Sequence, residues 1–139
     1  MRYFLAVLAL AGVIVSVLSL RVHYSTDVQP CSINATWDCG IVNHSDYAEI
    51  LHIPVAAVGI AGYLALGVLA FFRQRYLTLL ASAIGMIFAL RLTWIEELVL
   101  NVWCLYCVIS QAIIAILMLS AFGWFTAEYL ALRRTQKKA

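Results

Sequence analysis

The chain has 139 residues, of which 65% are hydrophobic and only 12% charged, with a mean hydropathy of +0.95 and a formal net charge of +2. A soluble domain carries ~25% charged residues, so a typical soluble enzyme and a disordered tail are excluded, and the small net charge leaves no basic field for nucleic acid. What remains is a membrane protein of single-domain length, in which four cysteines and three histidines are the obvious redox or metal chemistry.

Tyr3 to Leu20 is a run of eighteen residues without a charge. It follows Arg2 and ends near small residues, as a cleaved signal peptide would, but it exceeds the ~7–15 residues of a signal core, so a retained span is expected. A thirty-two-residue loop follows from Arg21 to His52, carrying one Arg and four acids, Asp27, Asp38, Asp46 and Glu49. The second apolar run, Ile53 to Phe72, has twenty residues and closes at a tight Arg73-Gln74-Arg75 turn. The third runs fifteen residues from Tyr76 to Leu90 and continues past Arg91 towards Leu100. It spans if Arg91, Glu96 and Glu97 sit near an interface where long side chains snorkel, with Arg91, the deeper one, in need of a partner. The fourth, Val102 to Ala127, has twenty-six residues. A helix needs ~20 apolar residues to cross the hydrocarbon, and the runs lack the alternation of barrel strands. The expected fold is an all-α membrane protein, a four-transmembrane-helix bundle in one domain, with spans at about 3–20, 53–72, 76–98 and 102–128 and an outer loop at 21–52.

Arg2, Arg73, Arg75, Arg133, Arg134, Lys137 and Lys138 share one side of this topology, opposite Arg21 and the acidic loop. The positive-inside rule places both termini in the cytoplasm and the loop outside. Within the loop, Ser45 can cap a helix that has Asp46 and Glu49 in its first turn and Tyr47, Ile50 and Leu51 on one face. A short amphipathic helix on the outer membrane surface is expected there, ending before Pro54 and able to roof a pocket between the spans. Asn34-Ala35-Thr36 and Asn43-His44-Ser45 are glycosylation sequons for a host that uses them.

All four cysteines fall on the outer side, where disulfides persist. Cys31 and Cys39 lie in the loop with seven residues between them, while Cys104-Leu105-Tyr106-Cys107 opens the fourth helix. Residues i and i+3 of a helix share a face and are about 4.5 Å apart along the axis. Cys104, at the helix N-terminus, has its thiolate favoured by unpaired amides and the dipole, and Cys107 sits one turn deeper, towards the apolar phase. The loop pair reads as a small exposed disulfide on a mobile loop, open to a partner's thiolate. Two structural disulfides, a four-cysteine zinc site and simple apolar burial are the competing readings. A CxxC at a helix mouth makes a poor staple, and the loop spacing is unusual for zinc. His44 and His52 flank the loop helix, with His44 a candidate base or donor. Gln111, on the face of Cys107, is either a donor to a carbonyl oxygen or a tie between helices.

These residues resemble the vitamin K epoxide reductase family, in particular its prokaryotic members. The resemblance covers almost the whole chain and rests on Cys31-x7-Cys39, on Cys39-Gly-Ile-Val42-Asn-His-Ser45, on Ile53-Pro54-Val55 with Gly59, and on Trp103-Cys104-Leu-Tyr-Cys107. It implies a four-helix bundle around a quinone (ubiquinone, menaquinone or a relative), without a metal, in the bacterial inner membrane. It further implies that Cys104 and Cys107 are the active-site pair, with Cys107 nearest the quinone, and that Cys31 and Cys39 carry electrons from a thioredoxin-like, DsbA-like partner. The implied relay begins when the partner attacks the loop disulfide at Cys31, or with the two roles exchanged at Cys39. Cys39 then attacks Cys104, and Cys107 is freed beside the quinone. Ser45 matches the family's loop serine. Some members carry a fused thioredoxin-like domain; this chain stops at Ala139, so a separate partner is expected. Animal members place a tyrosine one turn past the CxxC and an asparagine near the start of the second span; Gln111 and Val55 stand there here, which favours plain quinone reduction, in support of disulfide formation, over epoxide reduction. The DsbB type of quinone-linked oxidase has the two cysteine pairs in the reverse order. The remaining alternative is a four-span structural or assembly protein with structural disulfides only.

Overall fold

The computed structural model describes residues 1–27 and 30–138. Positions 28 and 29 of the expected outer loop and the last tail residue lie outside the described residues. The chain order is α1 (Arg2–Tyr24), α2 (Cys39–Asn43), a 3-10 turn (Asp46–Ala48), β1 (Glu49–Ile50), β2 (Ile53–Pro54), α3 (Val55–Phe71), α4 (Arg75–Ile95), a π-helical turn (Glu96–Leu100) and α5 (Leu105–Lys138).

Three of these helical stretches, Arg2–Tyr24, Arg75–Leu100 and Leu105–Lys137, are long and apolar enough to cross a membrane. The fourth, α3, is as apolar but has only 17 residues. That is about 26 Å of helix, at the short end of what spans.

The buried residues of α1 are Leu5, Ala9, Gly12, Ser16, Ser19 and Val22, a seam in steps of three and four. The residues between them, such as Val7, Leu10 and Ile14, are exposed, which suits a helix whose outer face meets lipid. Small residues on the seam let α3 approach closely. The Tyr63 ring lies directly over Gly12, and a Cβ at Gly59 would sit 3.0 Å from Ser16 Oγ. Helix α1 packs on α3 and α5, and α4 packs on α5 and α3. The mid-bundle core is Leu5, Ala9, Tyr63, Leu66, Ala70, Ile114 and Leu117. Tyr63 pins it by donating from its hydroxyl to the Ser110 carbonyl at 2.7 Å.

The two ends of the bundle differ. At one, Arg73 takes a positive φ of 59° to turn α3 into α4. Arg75 there pairs with Glu128 and stacks over Trp124, tying the start of α4 to the far part of α5. At the other end a second cluster holds Val22, Cys31, Cys39, Val42, Val102 and Cys104. The clustered basic residues and the cysteines therefore occupy opposite ends.

Several boundaries differ from the sequence reading. Helix α1 continues four residues beyond Leu20, because Val22 still points into the cysteine cluster. Helix α5 runs on through Lys138, as its final stretch is built of good helix formers. The amphipathic surface helix expected after Ser45 does not form. Ser45 donates its Oγ to the Val42 carbonyl and makes no side-chain cap. Leu51 and His52 adopt φ of 52° and 66° and reverse the chain into the β1–β2 hairpin, the geometry of a two-residue turn with both central φ positive. Pro54 biases Ile53 towards the extended conformation and so favours the strand. The loop's helix is instead α2, capped by Asp38, seven residues before the expected cap at Ser45. Arg91, expected to need a partner, is exposed on α4 and has no ion pair among the described residues.

Candidate active site

Cys31 and Cys39 form a disulfide with Cα atoms 5.7 Å apart. They are 2% and 0% exposed, which corrects the expectation of an exposed bond on a mobile loop. Two features bury them. Asp38 caps α2, its Oδ1 accepting from the amides of Gly40 (2.8 Å) and Ile41 (3.2 Å) and from Ser32 Oγ (2.7 Å). The Ser32 hydrogen bond, aided by these amides, outweighs desolvation and holds the Asp38 carboxyl below its ordinary value. The loop is also zipped to the segment before α5. The amide of Trp103 donates to the Thr36 carbonyl at 2.8 Å, that of Asp38 donates to the Trp103 carbonyl at 3.1 Å, and the Trp37 and Trp103 rings lie 6.2 Å apart. Cys39 and Cys104 each follow this paired segment and are buried in the same cluster.

Asn43 joins the two cysteine pairs. Its Oδ1 accepts from Ser19 Oγ at 2.9 Å, and its Nδ2 donates to the Cys39 carbonyl at 2.9 Å and to Cys104 Sγ at 3.6 Å. Buried there, it is no acceptor for a glycan.

Cys104 and Cys107 are free thiols. Cys104 stands immediately before α5, its carbonyl accepting from Val108 N at 3.1 Å. A hydrogen bond from the Cys107 side chain is the largest influence on Cys104. Together with the Cys107 and Tyr106 amides it lowers the thiol below its ordinary value, against burial and the Glu96 charge. The neighbouring thiol is thus the main cause, and the amides at the helix mouth add to it.

Glu96 was expected at the interface with Glu97. Glu97 is exposed, but Glu96 is 3% exposed. Its Oε2 accepts the Cys104 amide at 3.1 Å, and it shares the wall of one cavity with Cys107. The π-helical turn brings it there, closing at Asn101 in the left-handed region, with Val102 N donating to the Glu96 carbonyl at 3.2 Å.

Below the cysteines an apolar cavity of about 460 Å³ opens between α1, α3, α4 and α5. Cys107, Glu96, Asn43, Tyr63 and Tyr106 line it, with Phe88, Ala89 and Ile114 among its apolar walls. Of the residues singled out in the sequence, Ser45 and Val55 lie on its wall, whereas His44 and Gln111 are not part of the lining. His44 is exposed, with Nδ1 against the Gly40 carbonyl at 2.8 Å. Gln111 accepts from Thr93 Oγ1 and ties α5 to α4. His23 reaches Glu49 of the hairpin, Nε2 to Oε1 at 3.3 Å, and so holds β1 near the rim.

The family model described as the vitamin K epoxide reductase family matches residues 3–122. The chain belongs to the vitamin K epoxide reductase family. No match is found among curated proteins. Membership identifies an integral membrane protein with the thiol oxidoreductase chemistry of the vitamin K epoxide reductase family, and this chain supplies the cysteines for it at one end of its bundle. Three polar residues at that end escaped the sequence reading as site residues: Glu96, Asn43 and Asp38. Glu96 carried a usable signal, since an acid inside an apolar helix is a functional candidate by default. Asn43 lies four residues after Cys39, on the same helical face, which becomes visible only once α2 is known.

Proposed function

We propose that this protein is a membrane thiol–quinone oxidoreductase with four spans, the short α3 included, both termini in the cytoplasm and the cysteines on the outer face. A thioredoxin-like partner reduces the Cys31–Cys39 disulfide at Cys31. The freed Cys39 attacks Cys104 of a Cys104–Cys107 disulfide, and Cys107 is released as the thiol facing the quinone. The partner's second thiol then frees Cys31, which attacks Cys39, re-forms the loop disulfide and releases Cys104 as a thiol. Oxidation of the Cys104 and Cys107 thiols back to their disulfide delivers two electrons and two protons to the quinone, and the cycle supports disulfide formation in exported proteins. The observation that carries this reading is the continuity of the site. The loop disulfide and Cys104 share one buried cluster, and Cys107 lines the apolar cavity.

The cavity fits a quinone ring. Its volume is within the ~300–1,000 Å³ of small-molecule sites, which pair apolar walls with a few polar groups. Tyr106 is the polar side chain we assign to a ring carbonyl oxygen, since its hydroxyl has no hydrogen bond among the described residues; Ser45, whose hydroxyl hydrogen goes to the Val42 carbonyl, and Val55 form the wall beside the ring. Quinone supplies the two-electron acceptor; the chain's task is to bring a thiol to it and keep water away.

Purified protein, a reduced thioredoxin-like protein and a ubiquinone or menaquinone analogue, followed by quinone absorbance, test the proposal. Loss of turnover in Cys107→Ser with the fold retained is the expected result. No cysteine-dependent turnover with any quinone overturns it. Burial of the loop disulfide favours one second reading, that Cys31–Cys39 is a structural clamp. On that reading, Cys31→Ser with Cys39→Ser unfolds the loop end, and partner thiols never form a mixed disulfide with Cys39→Ser protein.

A further inference from the structure

A carboxyl group stands between the last thiol and the cavity. Glu96 lines the cavity together with Cys107, is almost fully buried, and accepts the Cys104 amide at 3.1 Å. No basic side chain pairs with it among the described residues. A buried carboxyl without a cation inside an apolar bundle is costly to keep. Holding one amide does not require a carboxyl, because the oxygen of a glutamine side chain accepts an amide hydrogen equally well.

The geometry points to Glu96 as the catalytic proton carrier between the Cys107 thiol and the quinone, an inference that rests on the function proposed above. Oxidising two thiols to a disulfide releases two electrons and two protons, and making a hydroquinone consumes two of each. Glu96 accepts the Cys107 proton as that sulfur gives up its electrons, and delivers it to a quinone carbonyl oxygen across the cavity. Cys104, as thiolate, forms the S–S bond to Cys107. The proton that Cys104 shed on ionising returns through solvent to the second quinone oxygen. The titratable groups around Glu96 are Cys104 and Cys107 at the mouth of α5, Tyr106 on α5, Tyr63 on α3 and Tyr47 of the loop. Of these, Glu96 is the only carboxyl lining the cavity among the described residues.

Glu96→Gln separates the two roles, because it keeps an acceptor for the Cys104 amide and removes the proton carrier. Fully reduced protein is mixed with a menaquinone analogue and a single turnover is followed by absorbance. At neutral pH the variant is expected to be about 100-fold slower or more, the usual worth of a positioned acid–base group. The deficit is expected to shrink as pH rises, because hydroxide can then take the Cys107 proton. Glu96→Asp, which retains a carboxyl, is expected to keep at least about a tenth of the parent rate. An active parent with Glu96→Gln within about threefold of it, or a deficit independent of pH, overturns the assignment and leaves the thiol–quinone function standing. A parent that reduces no quinone overturns both. If Glu96→Gln does not fold, Glu96→Asp decides: a pH profile displaced from the parent's is expected, and a superimposable one overturns the assignment.

Discussion

Replacing Asn43 with Ala removes a side chain that hydrogen-bonds to both cysteine pairs. Three hydrogen bonds are lost, to Ser19 Oγ, the Cys39 carbonyl and Cys104 Sγ, and the residue is 6% exposed, so water cannot readily replace them. The Ser19 bond joins helix to loop at the bundle end, where side-chain hydrogen bonds average ~0.6 kcal/mol and reach ~1.7. The Cys39 carbonyl loses a side-chain donor at the start of a short helix, the buried Ser19 Oγ loses its acceptor, and an unsatisfied buried group costs about 1–3 kcal/mol. The thiol contact is long and adds little. The sum is about 2–4 kcal/mol. Unfolding of the detergent-solubilised protein in a graded SDS mixture measures it, with Ser19→Ala and the double variant closing a cycle. A coupling of about 0.5–1.5 kcal/mol between the two positions is expected. The freed α2 should also let a water-soluble phosphine reduce the loop disulfide faster. An Asn43→Ala protein within about 0.5 kcal/mol of the parent, with unchanged disulfide reduction, refutes the claim that this side chain holds the two pairs together.

Gly12→Ala should destabilise the bundle by about 1–3 kcal/mol, because its Cβ would lie 2.6 Å from Tyr63 Cγ and that ring is anchored to Ser110; thermal unfolding in detergent reads the loss, and an unchanged midpoint sinks the close α1–α3 approach. The depressed Asp38 carboxyl contributes stability above its unfolded value of 3.8, and that contribution is lost as pH falls through its lower folded value. Reduction of the loop disulfide should therefore accelerate only in strong acid, and Asp38→Ala should be fast already at neutral pH. Cys104 should react with a small thiosulfonate with a midpoint below the ordinary thiol value of 9.0, and Cys107→Ala should move that midpoint up, since the Cys107 side chain is the main cause of the shift.

Much of the architecture was legible because a bilayer imposes length and polarity on each element. The apolar runs placed α1, α3, α4 and α5, and the arginines at 73 and 75 marked the turn between α3 and α4. The CxxC spacing placed Cys104 at the mouth of α5 and Cys107 in its first turn. The outer loop was misread because its fold is settled by long-range contacts. Ser45, Asp46 and Glu49 form a sound local helix signal, but His23 of α1 takes Glu49, and the hairpin turn at Leu51 and His52 overrides it. The burial of the loop disulfide depends on backbone pairing with Trp103, seventy-two residues after Cys31 in the chain, and no periodicity reports such a pairing.

That pairing bears on how the proposed relay must run. The second transfer, from Cys39 to Cys104, starts from groups already gathered in one buried cluster, so little ordering remains to be done. The first transfer is the opposite case, since a partner's thiolate cannot reach a sulfur that is 2% exposed. Either the partner opens the Trp37–Trp103 zip, or the zip opens by itself and the partner captures the open form. The bonds that would break are two backbone hydrogen bonds and a ring contact at the protein's edge, a cost of a few kcal/mol at most given ~0.5–1.5 per hydrogen bond. An opening of that size populates rarely but recloses fast. It admits a partner while the thiols remain shielded from small oxidants and reductants for most of the time. A loop disulfide buried by weak, local pairing is therefore compatible with a redox relay, whereas one buried under the mid-bundle core would not be.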